Sequence, residues 1–358
     1  MAFIIIVSIY SLMILTLAFG FARLADTTDT KVVIINSISV IVPVRNEQHL
    51  ADLLNDFANL DYPIDKFEVI IVDDHSSIPP SIPDLKINIR KLTNQLHGKK
   101  AAITTGVASA NGDIIATTDG DCRVGPLWLR EINRSFQHPG TKMAIGGVRI
   151  EEEQSFFSKL QSLEFVSVAV TGAATIGLGH PTMCNGANLA YRKSSFFEVH
   201  GFEGNDKISS GDDEFLMNKF EKDSIRYLYS KDAIVTSLPN QQFTSFVNQR
   251  LRWAGKWSVN TSFFTKLFAV AIFLFHLSFI AVLIGAAMGI KLFFYLLMAK
   301  AFVEAILLIP AAGFFGVKWR WTSFIVLQLI YSAYVISIGL LSQVVLPKWK
   351  GRIVETKV

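Results

Sequence analysis

The sequence predicts an α/β protein whose doubly wound, mostly parallel sheet lies between apolar helices at the two ends of the chain. Three observations lead there. Through the middle of the chain, short apolar runs rich in Val and Ile alternate with helix-period stretches, the pattern of βαβ units. Several of those runs end abruptly in Asp, Asn and Glu, as strands do where an open sheet presents its carboxyl edge to a ligand. The hydrophobic excess, 51% of 358 residues with a mean hydropathy of +0.37, gathers at the two ends. A net charge of +4 is too small to point to nucleic acid and suits a face resting on anionic lipid.

Taken in order, Phe3 to Ala22 is an uncharged run of 20 residues, long enough to cross the hydrocarbon core. It follows only Met1-Ala2, without a basic leader, and is longer than the apolar part of a signal peptide, so residues 1–24 are expected to be a retained anchor. A single α/β domain is expected over 31–240. Ile38 to Val44 is a continuous apolar run, as in a buried parallel strand, and leads through Pro43 to Asn46 and Glu47. His49 to Leu60 carries Leu50, Leu53, Leu54 and Phe57 at helical spacing. A second strand, Phe67 to Val72, closes on Asp73, Asp74 and His75; a weaker third spans Ile87 to Leu92. His97-Gly98-Lys99-Lys100 opens a helix over Ala101 to Ala110, and a fourth strand, Asp113 to Thr118, runs into Asp119-Gly120-Asp121.

Three polar clusters thus share one rim. Alone, Asp119-Gly120-Asp121 is an ordinary turn after a strand. Beside the others, its two crowded carboxylates call for a divalent cation, and Mg2+ or Mn2+ bridging a diphosphate suits oxygen donors. Farther on, Phe156 to Gly179 is apolar and weakly amphipathic, either an interfacial segment at a substrate entrance or a core helix. Ser209, Ser210 and Gly211 precede three acids, Asp212, Asp213 and Glu214, at a helix start. Residues 241–262 read as an interfacial basic helix, with Phe243, Phe246, Val247, Leu251 and Trp257 forming its apolar side. Residues 263–346 hold two or three spans, near 267–289, 292–315 and 322–346, before a basic tail over 347–358. Lys300 and Glu304 fall one turn apart, placed to pair within the bundle or snorkel. The seven histidines show no metal-ligand spacing, His75 reads as a loop residue, and Cys122 and Cys184 are not expected to form a structural disulfide.

Seven pieces in this order, SVIVPVRNE (39–47), VIIVDDHSS (69–77), HGKKAAI (97–103), TTDGDC (117–122), NGANLAYR (185–192), GDDEF (211–215) and QRLRW (249–253), resemble those of the family 2 glycosyltransferases with the GT-A-type fold. The resemblance covers about Ser37 to Trp253 and extends to the membrane arrangement. It implies a UDP-sugar donor whose uridine is held by the strand end at Pro43 and by Asp73 or Asp74, with Asn46 and Glu47 on the same rim. It implies that Lys99 approaches the donor phosphates; by spacing, Lys100 is expected to face solvent. Asp121 becomes the direct ligand of Mg2+ or Mn2+, and Asp119 touches the ribose or the metal through water. Asn185 lines the acceptor side of the donor pocket. Asp213 is the base, with Asp212 where the family usually has Glu. In the Gln-x-x-Arg-Trp piece, Gln249 and Arg252 face the donor, Arg252 clamping the diphosphate, and Trp253 offers a flat face to an acceptor sugar or apolar group.

The implied function is inverting transfer from a UDP-sugar to a membrane lipid or lipid-linked acceptor, by an integral protein of the inner cell membrane with its catalytic domain cytosolic. A small processive polysaccharide synthase is the alternative within the class, and a non-catalytic nucleotide-binding membrane protein the alternative outside it. One N-terminal and three C-terminal spans would put the basic tail outside, against the positive-inside tendency. Either one of the C-terminal segments is therefore expected to be re-entrant or interfacial, or the N-terminal one not to span.

Overall fold

The chain opens with the apolar helix α1 (Ala2–Arg23) and then enters the sheet at β1 (Ile38–Val44). The computed structural model describes residues 1–27, 32–205, 211–255, 263–346, 348–349 and 352–353; Ser209, Ser210, Trp257 and the rest of the tail lie outside the described residues. After β1 come α2 (Leu50–Ala58), β2 (Phe67–Asp73), β3 (Ile89–Thr93), α3 (Lys99–Ser109), β4 (Ile114–Thr117), the short β5 (Cys122–Arg123) and α4 (Trp128–Ser135). β6 (Met143–Gly146), β7 (Val148–Ile150), the long α5 (Phe156–Gly177), β8 (Leu189–Arg192) and α6 (Lys193–Glu198) follow. The domain closes with α7 (Asp212–Met217), β9 (Ile225–Leu228), β10 (Val235–Ser237) and α8 (Phe243–Gly255). Three apolar helices, α9 (Phe263–Ala287), α10 (Lys291–Phe315) and α11 (Trp321–Leu341), precede a two-stranded ladder of β11 (Lys348–Trp349) and β12 (Arg352–Ile353).

The main sheet has the order β3-β2-β1-β4-β8-β6-β9. It is parallel except where β8 runs antiparallel to β4 and β6, as expected of a mostly parallel sheet. Alternation along β1 sorts the core: Val40, Val42 and Val44 pack with Leu53, Leu54, Phe57 and Trp128 on one face. Ile41 faces the other way, with Ile103 and Val107 of α3, in a core continuous with α1, α5 and α10. The one polar inward position on β1, Ser39, stands in register with Glu68 and donates to it at 2.7 Å. Burial raises the Glu68 carboxyl, but bonds from Asn111, Ser39 and Arg90 outweigh it and hold it below the usual range.

The largest difference from the sequence expectation in this region concerns Lys100. Gly98, at φ 98°, starts α3 at Lys99 rather than at Ala101. That start puts Lys100 on the inward face one and two turns before Ile103 and Val107, so it is buried rather than solvent-facing. Its ammonium donates to the carbonyl of Asn205 at 2.6 Å and lies 4.9 Å from the centroid of the Phe215 ring.

Among the described residues, five helices are long and apolar enough to cross a membrane: α1, α5, α9, α10 and α11. They are not equivalent. In α1, α9, α10 and α11 only 17–22% of the most apolar stretch is buried, against 67% in α5. Ile5, Ile9, Leu12 and Phe19 of α1, and Leu274 and Leu277 of α9, face outward as lipid-exposed residues would. Of the two readings open for this segment, burial favours the core helix: α5 packs against α1, α10 and α11. Lys300 pairs with Glu304 at 2.8 Å inside this bundle, where Gln328 and Tyr10 also bond to Glu304.

The seam between α1 and α5 closes on glycine. A Cβ on Gly177 would fall 2.0 Å from the carbonyl oxygen of Gly20, and one on Gly20 would fall 2.5 Å from that of Ala174. We expect Gly20→Val or Gly177→Val to force the helices apart at a cost of about 1–3 kcal/mol. Thermal unfolding in detergent should drop by several degrees for either variant. Gly313→Ala, where a Cβ meets nothing within 4 Å, should match or exceed the wild-type midpoint.

Candidate active site

Because β1, β2 and β4 run parallel, their carboxyl ends open on one edge, with Val44 opposite Asp73 and Ile41 opposite Thr117. A cavity of about 160 Å³ lies there. Of the residues singled out from the sequence, Pro43, Glu47, Asp74, Lys99, Asp119 and Asp121 line it from the strand ends. Asn185, Asp213, Gln249, Arg252 and Trp253 close it from the other side.

Asn46 and Asp73 do not reach its wall. The side-chain oxygen of Asn46 accepts from the Ser77 amide at 2.7 Å, and that of Asp73 from the Ser76 amide at 3.0 Å, so both bind the β2 loop. Arg45, which drew no notice in the sequence, donates to the carbonyls of Asp74 and His75 at 2.7 and 3.0 Å. Asp74 Oδ1 accepts from Asn94 Nδ2 at 3.0 Å and from the Gly98 amide at 2.9 Å, joining the β2 end to the turn that starts α3.

That turn delivers Lys99. Its Nζ stands 2.7 Å from Asp119 Oδ1 and 3.1 Å from Asp212 Oδ2. Burial lowers its pKa, but Asp119, Asp212 and Asp213 raise it further, and the net direction is up, so the ammonium stays charged. Asp213 lies in the first turn of α7, after Gly211 in the left-handed region at φ 81°, and its Oδ2 accepts from the Gly186 amide at 3.0 Å. Burial holds the Arg252 pKa below its usual value despite Asp212, Asp119, Asp213 and Asp121. Burial pushes the Cys122 thiol up, and Asp121 adds to it.

Counted by charge, the cavity wall carries Glu47, Asp74, Asp119, Asp121, Asp212 and Asp213 against Arg45, Lys99 and Arg252. The excess of carboxylate oxygens on this wall fits a hard divalent cation such as Mg2+ or Mn2+.

The two arginines of α8, two residues apart on a helix, face different surroundings. Arg252 faces the cavity, whereas Arg250 is buried and pairs with Glu164 of α5. Arg250 also donates to the Tyr334 hydroxyl of α11 at 3.1 Å and lies 4.3 Å from the Trp253 ring centroid. Sequence reading missed this pair; the only signal was a lone acid in the apolar run of α5. It also missed His75 and His97, 22 residues apart, whose rings meet beside Asp74 with centroids 4.2 Å apart.

A second cavity, about 800 Å³ and mostly apolar, lies among α1, α5, α9, α10 and α11. Val148, Phe165, Asn185, Asp213 and Trp253 line both cavities. Asp213 therefore stands where a polar site at the sheet edge meets an apolar one among the long helices.

Comparisons with known proteins agree with this architecture. Residues 39–199 match the family model for glycosyl transferase family 2. An N-acetylglucosaminyltransferase from Rhizobium sp. (strain N33) is 25% identical over 235 residues, covering 61% of this chain and 52% of that protein. A hyaluronan synthase from Streptococcus pyogenes is 26% identical over 252 residues, covering 64% and 57%. The chain thus spans about half the length of the curated relatives it matches. Among solved structures, the mannosyltransferase PcManGT from Pyrobaculum calidifontis, in complex with GDP-Man and Mn2+, superposes with a TM-score of 0.50 over 94% of this chain and 99% of that one. At 15% identity that likeness is one of fold. Residues 39–199 are accordingly a glycosyl transferase family 2 domain in a GT-A-type fold, within a chain whose described residues hold five helices long and apolar enough to cross a membrane.

Proposed function

We propose that this protein transfers a sugar, with inversion, from a UDP-sugar to a lipid or lipid-linked acceptor at the cytosolic face of the inner cell membrane. The observation that carries the reading is the shared wall: Asp213 borders both the acidic cavity and the apolar one. A donor in the first and an amphiphile in the second would meet at this carboxylate. Nucleotide sugars are cytosolic, which sets the side of the membrane.

On this reading the uridine rests against Pro43 and accepts its orientation from Asp74, with Asp73 and Asn46 holding the loop beneath. Lys99 and Arg252 take the diphosphate, and Gln249 and Asn185 border the sugar. A Mg2+ or Mn2+ ion held by Asp121, with Asp119 on the ribose or reaching the ion through water, would supply positive charge to the departing UDP. Asp213 accepts the proton of the acceptor hydroxyl as that oxygen attacks the anomeric carbon from the face opposite UDP. The Gly186 amide on Asp213 Oδ2 and the Glu214 amide on Oδ1, at 3.0 and 2.8 Å, hold the carboxylate in place for this work. Trp253, lining both cavities, presents its ring to the acceptor.

The names of relatives favour a second reading, a processive synthase, since one is a hyaluronan synthase. The lining of the larger cavity speaks for the lipid: apolar side chains dominate it, where a polysaccharide would need hydroxyl and amide partners along its length.

Two expectations follow. Membranes containing the protein, given UDP-sugars and Mn2+, should yield a lipid heavier by one sugar residue in mass spectra, and Asp213→Asn should slow its formation by about 10²–10⁴-fold. Asp121→Asn should remove the metal dependence together with most of the activity. Full transfer by both variants would show that the site is wrongly placed, and a long polymer in place of a glycolipid would select the synthase. Separately, Arg250→Ala leaves Glu164 as an unpaired buried charge and should destabilise the fold by about 3–5 kcal/mol in denaturation. Arg252→Ala should cost much less stability but weaken UDP binding.

A further inference from the structure

At the nucleoside end of the donor cavity, Asp74, His75 and His97 each offer one ligand atom, and these atoms lie within 4.8 Å of one another. The donor reading uses neither histidine. Asp74 and His75 stand at the end of β2, whereas His97 comes from the turn before α3. The cluster is also held in place from outside. One guanidinium, that of Arg45, takes the backbone carbonyls of both Asp74 and His75. It steadies His75 in the left-handed region at φ 57°, uncommon for a residue with a side chain. The Asp74 carboxylate accepts from Asn94 and from the Gly98 amide, fixing the turn on which His97 stands. Such outer bonds are what orient ligands at metal centres.

We propose that Asp74, His75 and His97 form a Zn2+ site, separate from the all-oxygen pair Asp119 and Asp121. Two imidazoles and one carboxylate are a donor set that Zn2+ accepts with a fourth position left to water, whereas Mg2+ and Mn2+ favour oxygen alone. Tetrahedral Zn2+ with ligand bonds of about 2.1 Å keeps its donors about 3.4 Å apart. The donor atoms, within 4.8 Å of one another, would have to draw together to reach that spacing, and the exposed His97 ring and the half-buried His75 ring are the ones with room to turn. No bond is made or broken beyond coordination, and a histidine bearing a proton releases it on binding.

The site bears on the donor because Asp74 also lines the donor cavity. Zn2+ on this carboxylate competes with the uridine for it, so Zn2+ raises the apparent KM for the UDP-sugar. This consequence rests on the donor reading above; binding of the ion does not.

The test is calorimetric titration of the full-length protein in detergent, stripped of metal, with ZnCl2 in the presence of saturating Mn2+. One Zn2+ should bind per chain, His75→Ala and His97→Ala should each weaken it at least about tenfold, and Asp121→Asn should leave it unchanged. Because His97 is exposed, His97→Ala is expected to fold, and circular dichroism checks that it does. Wild-type Zn2+ affinity in both histidine variants, or displacement of Zn2+ by Mn2+, would overturn the site. If binding behaves as stated, a rise in the KM for the UDP-sugar with Zn2+ in the wild type, absent in His97→Ala, supports the competition. No such rise would refute the placement of uridine on Asp74 while leaving the metal site standing.

Discussion

Crowding of like charge at one sheet edge is the constraint on which this site depends. Parallel pairing of β1, β2 and β4 forces their polar ends together, and α7 adds Asp212 and Asp213 from the opposite wall. Carboxylates this close in a partly desolvated pocket repel one another strongly. Lys99 answers part of that repulsion by spanning from Asp119 to Asp212. A single ammonium thus ties the donor-side turn to the helix that carries Asp213. On the proposed function, a diphosphate would draw on the same ammonium, and the acidic wall left behind would favour a divalent ion. Anion and cation would each be attracted by what the other disturbs, which would make their binding mutually reinforcing.

The domain cannot be understood apart from the long helices. One face of its sheet packs on α2 and α4 in the manner of a soluble α/β protein. The other face shares one continuous core with α1, α5 and α10. α5 is the element that joins the two environments, since it is mostly buried, contacts three of the outer helices and lines both cavities through Phe165. Its close approach to α1 at Gly20 and Gly177 sets how tightly one wall of the larger cavity is drawn in.

Much of the sheet was legible because a buried strand leaves a run such as Ile38 to Val44 that few other structures tolerate. The Asp119-Gly120-Asp121 turn was legible for the same reason: acids directly after such a run must lie at the edge. Contacts across long separations were not. Nothing in the local pattern announces that Glu164 meets Arg250, 86 positions later, or that His97 turns back onto His75. Lys100 was misplaced because the glycine start brings it into the first turn of α3, on the same inward face as Ile103 and Val107. The α5 segment stayed open between interface and core since both leave an apolar stretch with few charges; only its neighbours distinguish them.

The pair of arginines on α8 shows how the membrane bundle reaches the chemistry. Arg250 has little freedom: its guanidinium meets the Glu164 carboxylate and the Tyr334 hydroxyl, with the rings of Phe246 and Trp253 against it. A buried ion pair of this kind contributes less to net stability than to fixing a single geometry, because desolvation offsets much of its attraction. What it fixes here is the rotation of α8 about its axis, through partners on α5 and α11. Once that rotation is set, Arg252 and Gln249 face the acidic cavity, and Trp253 stands between that cavity and the apolar one. Arg252 and Gln249, proposed to face the donor, are therefore oriented by helices that line the apolar cavity. A change in packing around α5 or α11 reaches the donor site through α8 without touching the strand ends.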